Sequence, residues 1–410
     1  MIGNLLPFLM LGIFSAAVLA RPLARQKIVT MPVALILLGF FSSEIWVYWG
    51  FDTGLRWQIL RDLVFYLLLP MLIFEASINI NVRKLRREAL LVFSLAIPLL
   101  MVATLVAAIV IQALVGDSLG NMWALTFLCG AMISATDPAT MSNIINNACS
   151  SQRVVGILEG ESLINDATTI TLFTMISALL TIPGYDLNWI DLAGRFVVVL
   201  GGSVLVGMFL GWLFDLIIRP LNDVVLTTSV TLVLAFLSFW VSEHILGWSG
   251  VVATLSAGLS IAWLQRKDLN EEDVAFAFGS WRTLGFLADA MLFFLVGMSI
   301  TLDMFQFHWL AMMVGILAAF VSRAAIVYLG AGLLSRLPGQ RPLRLAEQNL
   351  MVWGGIRGAV AIALALSLSV ELPYWYTIQS MVYGVALFSL VFQTPLFSYL
   401  LKRKLHSTKA

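Results

Sequence analysis

Apolar stretches long enough to cross a bilayer follow one another along the chain, separated by short polar or charged segments. A spanning helix needs about 20 mostly apolar residues. Punctuating the sequence with Gly, Pro and charge gives about thirteen such spans. They are centred near Phe14, Leu38, Leu68, Val102, Met132, Thr168, Val204, Leu234, Ser256, Phe293, Ala318, Ile362 and Leu387. The first, Asn4 to Ala20, is followed by Arg21-Pro22-Leu23-Ala24-Arg25; no positive region precedes it and no small-residue cleavage site follows, so it reads as a retained helix rather than a signal peptide. The loops are too short to be domains. The expected fold is therefore an all-α polytopic membrane protein, one transmembrane domain over 1–405 with a short cytoplasmic tail, 406–410.

Charge orients these spans. With the N-terminus outside, one set of loops holds Arg21, Arg25 and Lys27, the Arg83–Arg87 cluster, Arg153, Arg219, Arg266, Lys267, Arg282, Arg336, Arg341, Arg344 and the tail Lys402, Arg403, Lys404 and Lys409. The opposite loops carry little beyond Arg56, Arg61 and Arg195. The positive-inside rule then chooses an outside N-terminus and a cytoplasmic C-terminus, which needs an odd number of helices. Composition agrees with lipid as the solvent: 60% of the residues are apolar and 11% charged, against roughly 25% charged in soluble domains. A net charge of +1 excludes a strongly basic nucleic-acid surface. Cys129 and Cys149 show no metal-ligand spacing, so neither a disulfide nor a resident metal is implied, and no cofactor is expected.

Thirteen helices can be arranged as two six-helix units flanking a seventh, with halves of about 1–183 and 222–405. A special helix in one half should then recur seven helices later. The fifth is interrupted by Ser134-Ala135-Thr136-Asp137-Pro138 and the twelfth by Gly354-Gly355-Ile356-Arg357-Gly358, both near mid-membrane. Helices three and ten also share a short likeness, Met71-Leu72-Ile73-Phe74 beside Met291-Leu292-Phe293-Phe294. Paired broken helices are the signature of inverted-repeat transporters, in which the breaks cross at the midplane and build the ion site.

Glu75, Asp137, Glu161, Asp166, Asp289, Arg323 and Arg357 all fall within spans. Each costs about 2.5–3.5 kcal/mol at a helix centre, so these groups must pair, face water or take up a proton. Internal ion pairing is one open reading for Glu161 with Arg323, but acids outnumber bases in the set, so at least one carboxylate has no permanent partner. Asp137-Pro138 forces the fifth helix to unwind, because proline lacks an N–H. Half-helix ends carry roughly half a unit charge; Asp137 suits converging positive ends and Arg357 converging negative ends. The plain alternative for Asp137 is a helix N-cap, which does not exclude the dipole role.

On the sixth helix Ser162 and Asp166 lie one turn apart on one face, offering a hydroxyl and a carboxylate to a common point. Asn165 beside them either bonds the unwound backbone or the Thr136 hydroxyl, or makes an ordinary interhelical bond. A cation at these oxygens competes with a proton for the carboxylate, which gives exchange directly. Glu75 either completes the cation shell or snorkels toward Asn79 and Asn81; Asp289 reads as structural. His244, His308 and His406 fall at loops or the tail, so carboxylates carry the protons.

Thr136-Asp137-Pro138, Glu161-Ser162-Leu163-Ile164-Asn165-Asp166 and Gly354-Gly355-Ile356-Arg357-Gly358 together resemble the monovalent cation/proton antiporter family, which includes prokaryotic sodium/proton antiporters and animal sodium/hydrogen exchangers. The resemblance covers essentially the whole chain. It implies that Asp166 binds the ion and the proton, that Asn165 stabilises the fifth-helix break through Thr136, that Ser162, Thr136 and Glu75 contribute to the Na⁺ site, and that Glu161 pairs with Arg323. The Asn-Asp pair resembles the electroneutral branch, which exchanges one cation for one proton. Where many relatives continue into glycine and valine, this chain has Ala167-Thr168-Thr169, which adds hydroxyls near the site and leaves Li⁺ and K⁺ open beside Na⁺. The resemblance also implies a homodimer, serving pH and sodium homeostasis; the short design without a long cytoplasmic regulatory domain points to a prokaryotic inner membrane, with an organelle as the alternative.

The mechanism expected is alternating access, with Asp166 presented first to one side and then to the other. Two rivals use the same broken-helix plan: a cation channel, which passes current without proton counterflow, and a sodium-coupled organic-anion symporter, against which the Glu-Ser-x-x-Asn-Asp run argues. An intramembrane enzyme lacks a nucleophile with a positioned base.

Overall fold

The computed structural model describes residues 2–26, 30–50, 57–120, 122–137, 152–181, 189–220, 223–265, 271–336 and 341–397. Pro138, Cys149, Lys27, Arg56, Arg266, Lys267 and the tail with His406 lie outside the described residues. Among the described residues every regular element is helical. In chain order the main helices are α1 (Ile2–Gln26), α2 (Met31–Tyr48), α3 (57–79), α4 (Ala89–Val115), α5 (Trp123–Ser134), α6 (Gln152–Thr181), α7 (Trp189–Ile218), α8 (224–245), α9 (Gly250–Gln265), α10 (Glu271–Ser299), α11 (Trp309–Leu334), α12 (Leu345–Trp353), α13 (Ala359–Leu366) and α14 (Trp375–Phe397). Each span centre expected from hydropathy lies on one of them. Eight helical stretches among the described residues are long and apolar enough to cross a membrane, and three shorter apolar ones, Pro7–Leu19, Trp123–Ser134 and Gly250–Leu264, accompany them.

Local chemistry explains most interruptions. α4 bends at Ile97, immediately before Pro98, because proline removes one N–H and disfavours helical geometry in the residue before it. α5 ends at Ser134, and residues 135–137 leave helical geometry. The stretch from Gly354 to Gly358 separates α12 from α13, as the glycines there predict. Four single π-helical turns, Val64–Leu68, Val241–Ile245, Ile326–Ala331 and Ser389–Gln393, have no counterpart in the sequence reading.

The chain forms two compact units: Met1–Asp62, Glu88–Thr169 and Ala290–Ala410 make up the first, Leu63–Arg87 and Ile170–Asp289 the second. Each draws on both halves of the sequence. In the first, α4 packs on α5 and α11, and α11 on α14. Lipid offers no hydrophobic drive between helices, so close backbone approach carries this packing. The α11–α14 crossing shows it: Gly315 faces Met381 and Gly384 faces Met312, and a methyl group on Gly384 would sit 2.6 Å from the Met312 side chain.

In the second unit α9 lies against α3, α7 and α8. Its core gathers Phe74, Phe214, Leu234, Ala257 and Ile261 around Trp281. The Trp281 ring sits 4.5 Å from that of Phe74, and its indole N–H donates to Thr231 Oγ1 at 3.0 Å. The large buried ring thus keeps its one polar group satisfied.

Candidate functional site

Within the first unit the two breaks meet. The amide of Asp137 donates to the carbonyl of Ile356 at 2.6 Å. The Asp137 carboxylate also lies at the start of α13, where it accepts from the amide of Ala359 at 3.4 Å. A negative group at a helix N-terminus offsets the unpaired N–H groups there. Gly358 makes the approach possible, since any β-carbon at that position would run into the Asp137 side chain.

The carbonyl ends of the broken helices are covered by two buried arginines, each 2% exposed. Arg357 donates through Nε to Ile133 O at the end of α5, 2.8 Å away, through Nη2 to Ala319 O of α11 at 2.8 Å, and through Nη1 to Gly355 O. Arg323 of α11 donates through Nε to Met351 O in the last turn of α12 at 3.1 Å. Its two terminal nitrogens meet both carboxylate oxygens of Glu161, the Nη2–Oε2 pair at 3.0 Å. A fork-to-fork pair of this kind satisfies charge and geometry together. Glu161 is fully buried, so without Arg323 it would be a bare charge in a dry interior.

Facing the α5 break is one side of α6. Ser162 Oγ donates to the carbonyl of Thr136. Its single hydrogen is thereby committed, and only lone pairs remain for any further contact. Asn165 Nδ2 reaches Ser134 O at 3.3 Å and Thr136 Oγ1 at 3.4 Å. Asp166 follows directly in sequence and is partly buried. Among the described residues its carboxylate has neither a hydrogen-bond nor an ion-pair partner.

The first unit therefore brings together Thr136, Asp137, Glu161, Ser162, Asn165, Asp166, Arg323 and Arg357. Glu75 belongs to the second unit. There its Oε1 accepts from Asn79 Nδ2 at 2.8 Å, and its methylene stem lies against Gly285, where an added methyl group would sit 2.7 Å from Glu75 Cγ. Among the described residues no cluster of three or more His, Cys, Asp or Glu side chains could hold a metal ion.

Sequence reasoning missed Gln393. In the π-helical turn of α14 it donates to Trp353 O at 2.7 Å and accepts from Ser389 Oγ at 2.9 Å. It closes the last turn of α12 at Trp353 O, as Arg323 does at Met351 O. A buried glutamine in an apolar run was the available signal, since such a side chain must find partners.

The transmembrane sodium/hydrogen exchanger family model matches residues 10–403. The chain belongs to this family. That assignment makes it a member of a transporter family rather than an enzyme family. Among its relatives in this family, the Na⁺/H⁺ antiporter NhaH of Halobacillus aidingensis is 29% identical over 340 residues, which are 82% of this chain and 81% of the relative. The low-affinity Na⁺/H⁺ antiporter NhaS1 of a Synechocystis strain is 30% identical over 350 residues, 83% of this chain and 64% of the relative. A solved structure of the sodium proton antiporter MjNhaP1 from Methanocaldococcus jannaschii covers 98% of both chains with a TM-score of 0.80 at 20% identity. At that identity the likeness shows the fold, shared over 98% of both chains.

Proposed function

We propose that this chain is an antiporter that exchanges Na⁺, or Li⁺, for H⁺ at the carboxylate of Asp166. The observation that carries this reading is the state of the acids around the breaks: Glu161 is held by Arg323 and Asp137 by the start of α13, whereas Asp166 has no such partner among the described residues. A partly buried carboxylate without a fixed counter-charge is a group that takes up a proton or a cation. Ser162 Oγ, with its hydrogen on the Thr136 carbonyl, offers lone pairs to a hard cation, which prefers oxygen ligands. Thr136 is a further candidate oxygen donor. Asn165, Asp137, Glu161, Arg323 and Arg357 structure the site.

One carboxylate neutralises one cation or one proton, so the exchange is electroneutral, one for one. Alternating access follows from the cost of moving an unpaired charge through a dry barrier: Asp166 moves when it carries H⁺ or Na⁺, and stays when bare. The reading extends to thirteen spans in two inverted six-helix repeats, with halves of about 1–183 and 222–405 linked by the seventh helix. It also holds that the broken helices cross at mid-membrane, with the N-terminus outside and the C-terminus in the cytoplasm. The protein works as a homodimer in a prokaryotic inner membrane, in pH and sodium homeostasis. The names of the relatives, the loop charges and the pair of helix breaks support it.

Proton flux out of proteoliposomes tests it, read with an internal pH dye after external Na⁺, Li⁺ or K⁺ is added, with and without a clamped membrane potential. Wild type moves protons on addition of Na⁺ independently of the potential, and Asp166→Asn gives a loss of at least about a hundredfold, as expected when a group acting in every turnover is removed. Cation movement without proton counterflow, or an active Asp166→Asn, overturns the reading.

A further inference from the structure

We propose that Thr169 is a positioning residue for this exchange site, anchoring the Asn165 carboxamide from the side away from the α5 break. The inference rests on the reading of Asp166 as the exchanging carboxylate. Asn165 and Thr169 stand one helical turn apart on α6 and are 1% and 0% exposed. Thr169 Oγ1 lies 3.0 Å from Asn165 Oδ1, while Asn165 Nδ2 faces Ser134 O and Thr136 Oγ1. Chemistry fixes which atom donates. Ser134 O is a carbonyl that only accepts, so the carboxamide must turn its NH₂ to it; its oxygen then faces Thr169, whose hydroxyl donates.

The neighbouring hydroxyl behaves differently. Thr168 Oγ1 donates to Ile164 O of its own helix at 2.9 Å, the usual back-bond of a threonine within a helix. Of the two adjacent threonines only Thr169 directs its hydrogen to a side chain of the site. Five residues thus form one network: Thr169 holds Asn165, Asn165 holds Ser134 and Thr136, and Ser162 bonds the Thr136 carbonyl. Both candidate hydroxyl ligands depend on where residue 136 sits. Removing the Thr169 hydroxyl leaves Asn165 Oδ1 a buried acceptor without its donor, a state that drives the side chain to another arrangement. The grip on residues 134–136 then loosens.

The test compares Thr169→Val, nearly isosteric but without the hydroxyl, with Thr169→Ser, which keeps it. Apparent KM for Na⁺ and maximal rate are read from proton flux in proteoliposomes, together with hydrogen exchange of the Asp137 amide in detergent. Thr169→Val is expected to raise the apparent KM about five- to tenfold, the size of one lost hydrogen bond, with a smaller change in maximal rate and faster exchange at Asp137; Thr169→Ser stays within about twofold of wild type on both readouts. If Thr169→Val does not fold, Thr169→Ala against Thr169→Ser isolates the hydroxyl. A wild-type KM and wild-type Asp137 exchange in the variants lacking the hydroxyl, or a serine variant as impaired as they are, overturns the inference. Absence of Na⁺-driven flux in wild type itself overturns the functional reading instead, and Asp137 exchange then still decides whether Thr169 anchors the break.

Discussion

Glu161 and Asp166 are carboxylates on one helix, five residues apart, and their surroundings are opposite. Glu161 is fully buried and gripped at both oxygens by Arg323, which also covers the end of α12. Asp166 is partly buried, one turn from the Ser162 hydroxyl, and has no such grip among the described residues. The difference teaches how a membrane protein sorts its buried charges. A carboxylate whose partner is also buried and also caps a helix end belongs to the scaffold, because neither charge can leave without exposing the other to a medium that cannot solvate it. A carboxylate left to lone-pair donors is available to an ion that comes and goes.

The comparison breaks most readily at Arg323. Arg323→Ala leaves Glu161 charged and alone in the interior and uncovers Met351 O, with an expected loss of about 3–5 kcal/mol. In thermal unfolding of the purified protein this reads as a large fall in midpoint, and Glu161→Gln placed on top of it recovers part of the loss. An Arg323→Ala protein as stable as wild type would mean that the pair does not hold the broken helices. The smallest effect is expected where a similar pair meets water. Arg153 and Glu88 bond at 2.9 and 3.0 Å, and Arg153 also donates to Arg341 O at 2.8 Å, but their side chains are 18% and 17% exposed. Arg153→Gln is expected to cost only about 0.2–1 kcal/mol and to cost less as salt is raised. Midpoints measured at low and high salt check this, and a salt-independent loss the size of the Arg323 effect would erase the distinction between the two pairs.

Much of this site was legible in the sequence because membrane helices leave so few reasons for a charge, a proline or a glycine cluster. Asp137-Pro138 and Gly354 to Gly358 announced the breaks, since proline and glycine act on the backbone locally and need no tertiary context. For Glu161 and Arg323, cost left pairing as one open reading, and it was the family resemblance that implied the pair. What was not legible depends on packing. Gln393 sits in an apolar run, and only the fold shows that the last carbonyls of α12 open toward it. The π-helical turns add one residue to a helix without a sequence mark of their own. Glu75 carried two readings because its bond to Asn79 satisfies local chemistry in either case. Thr168 and Thr169 look alike as sequence, and only side-chain direction tells the back-bonded hydroxyl from the one that reaches Asn165.

The most direct test of the central claim, that one carboxylate is shared between the cation and the proton, is to count protons released as Na⁺ binds. Titration calorimetry of the purified protein in buffers of different ionisation enthalpy, at a pH where the empty site is protonated, gives that number without any transport assay. About one proton per Na⁺ is expected for wild type, as when a metal displaces the proton of its ligand, with none for Asp166→Asn and an unchanged value for Glu161→Gln. Na⁺ binding without proton release at every pH, or release that persists in Asp166→Asn, would contradict the account.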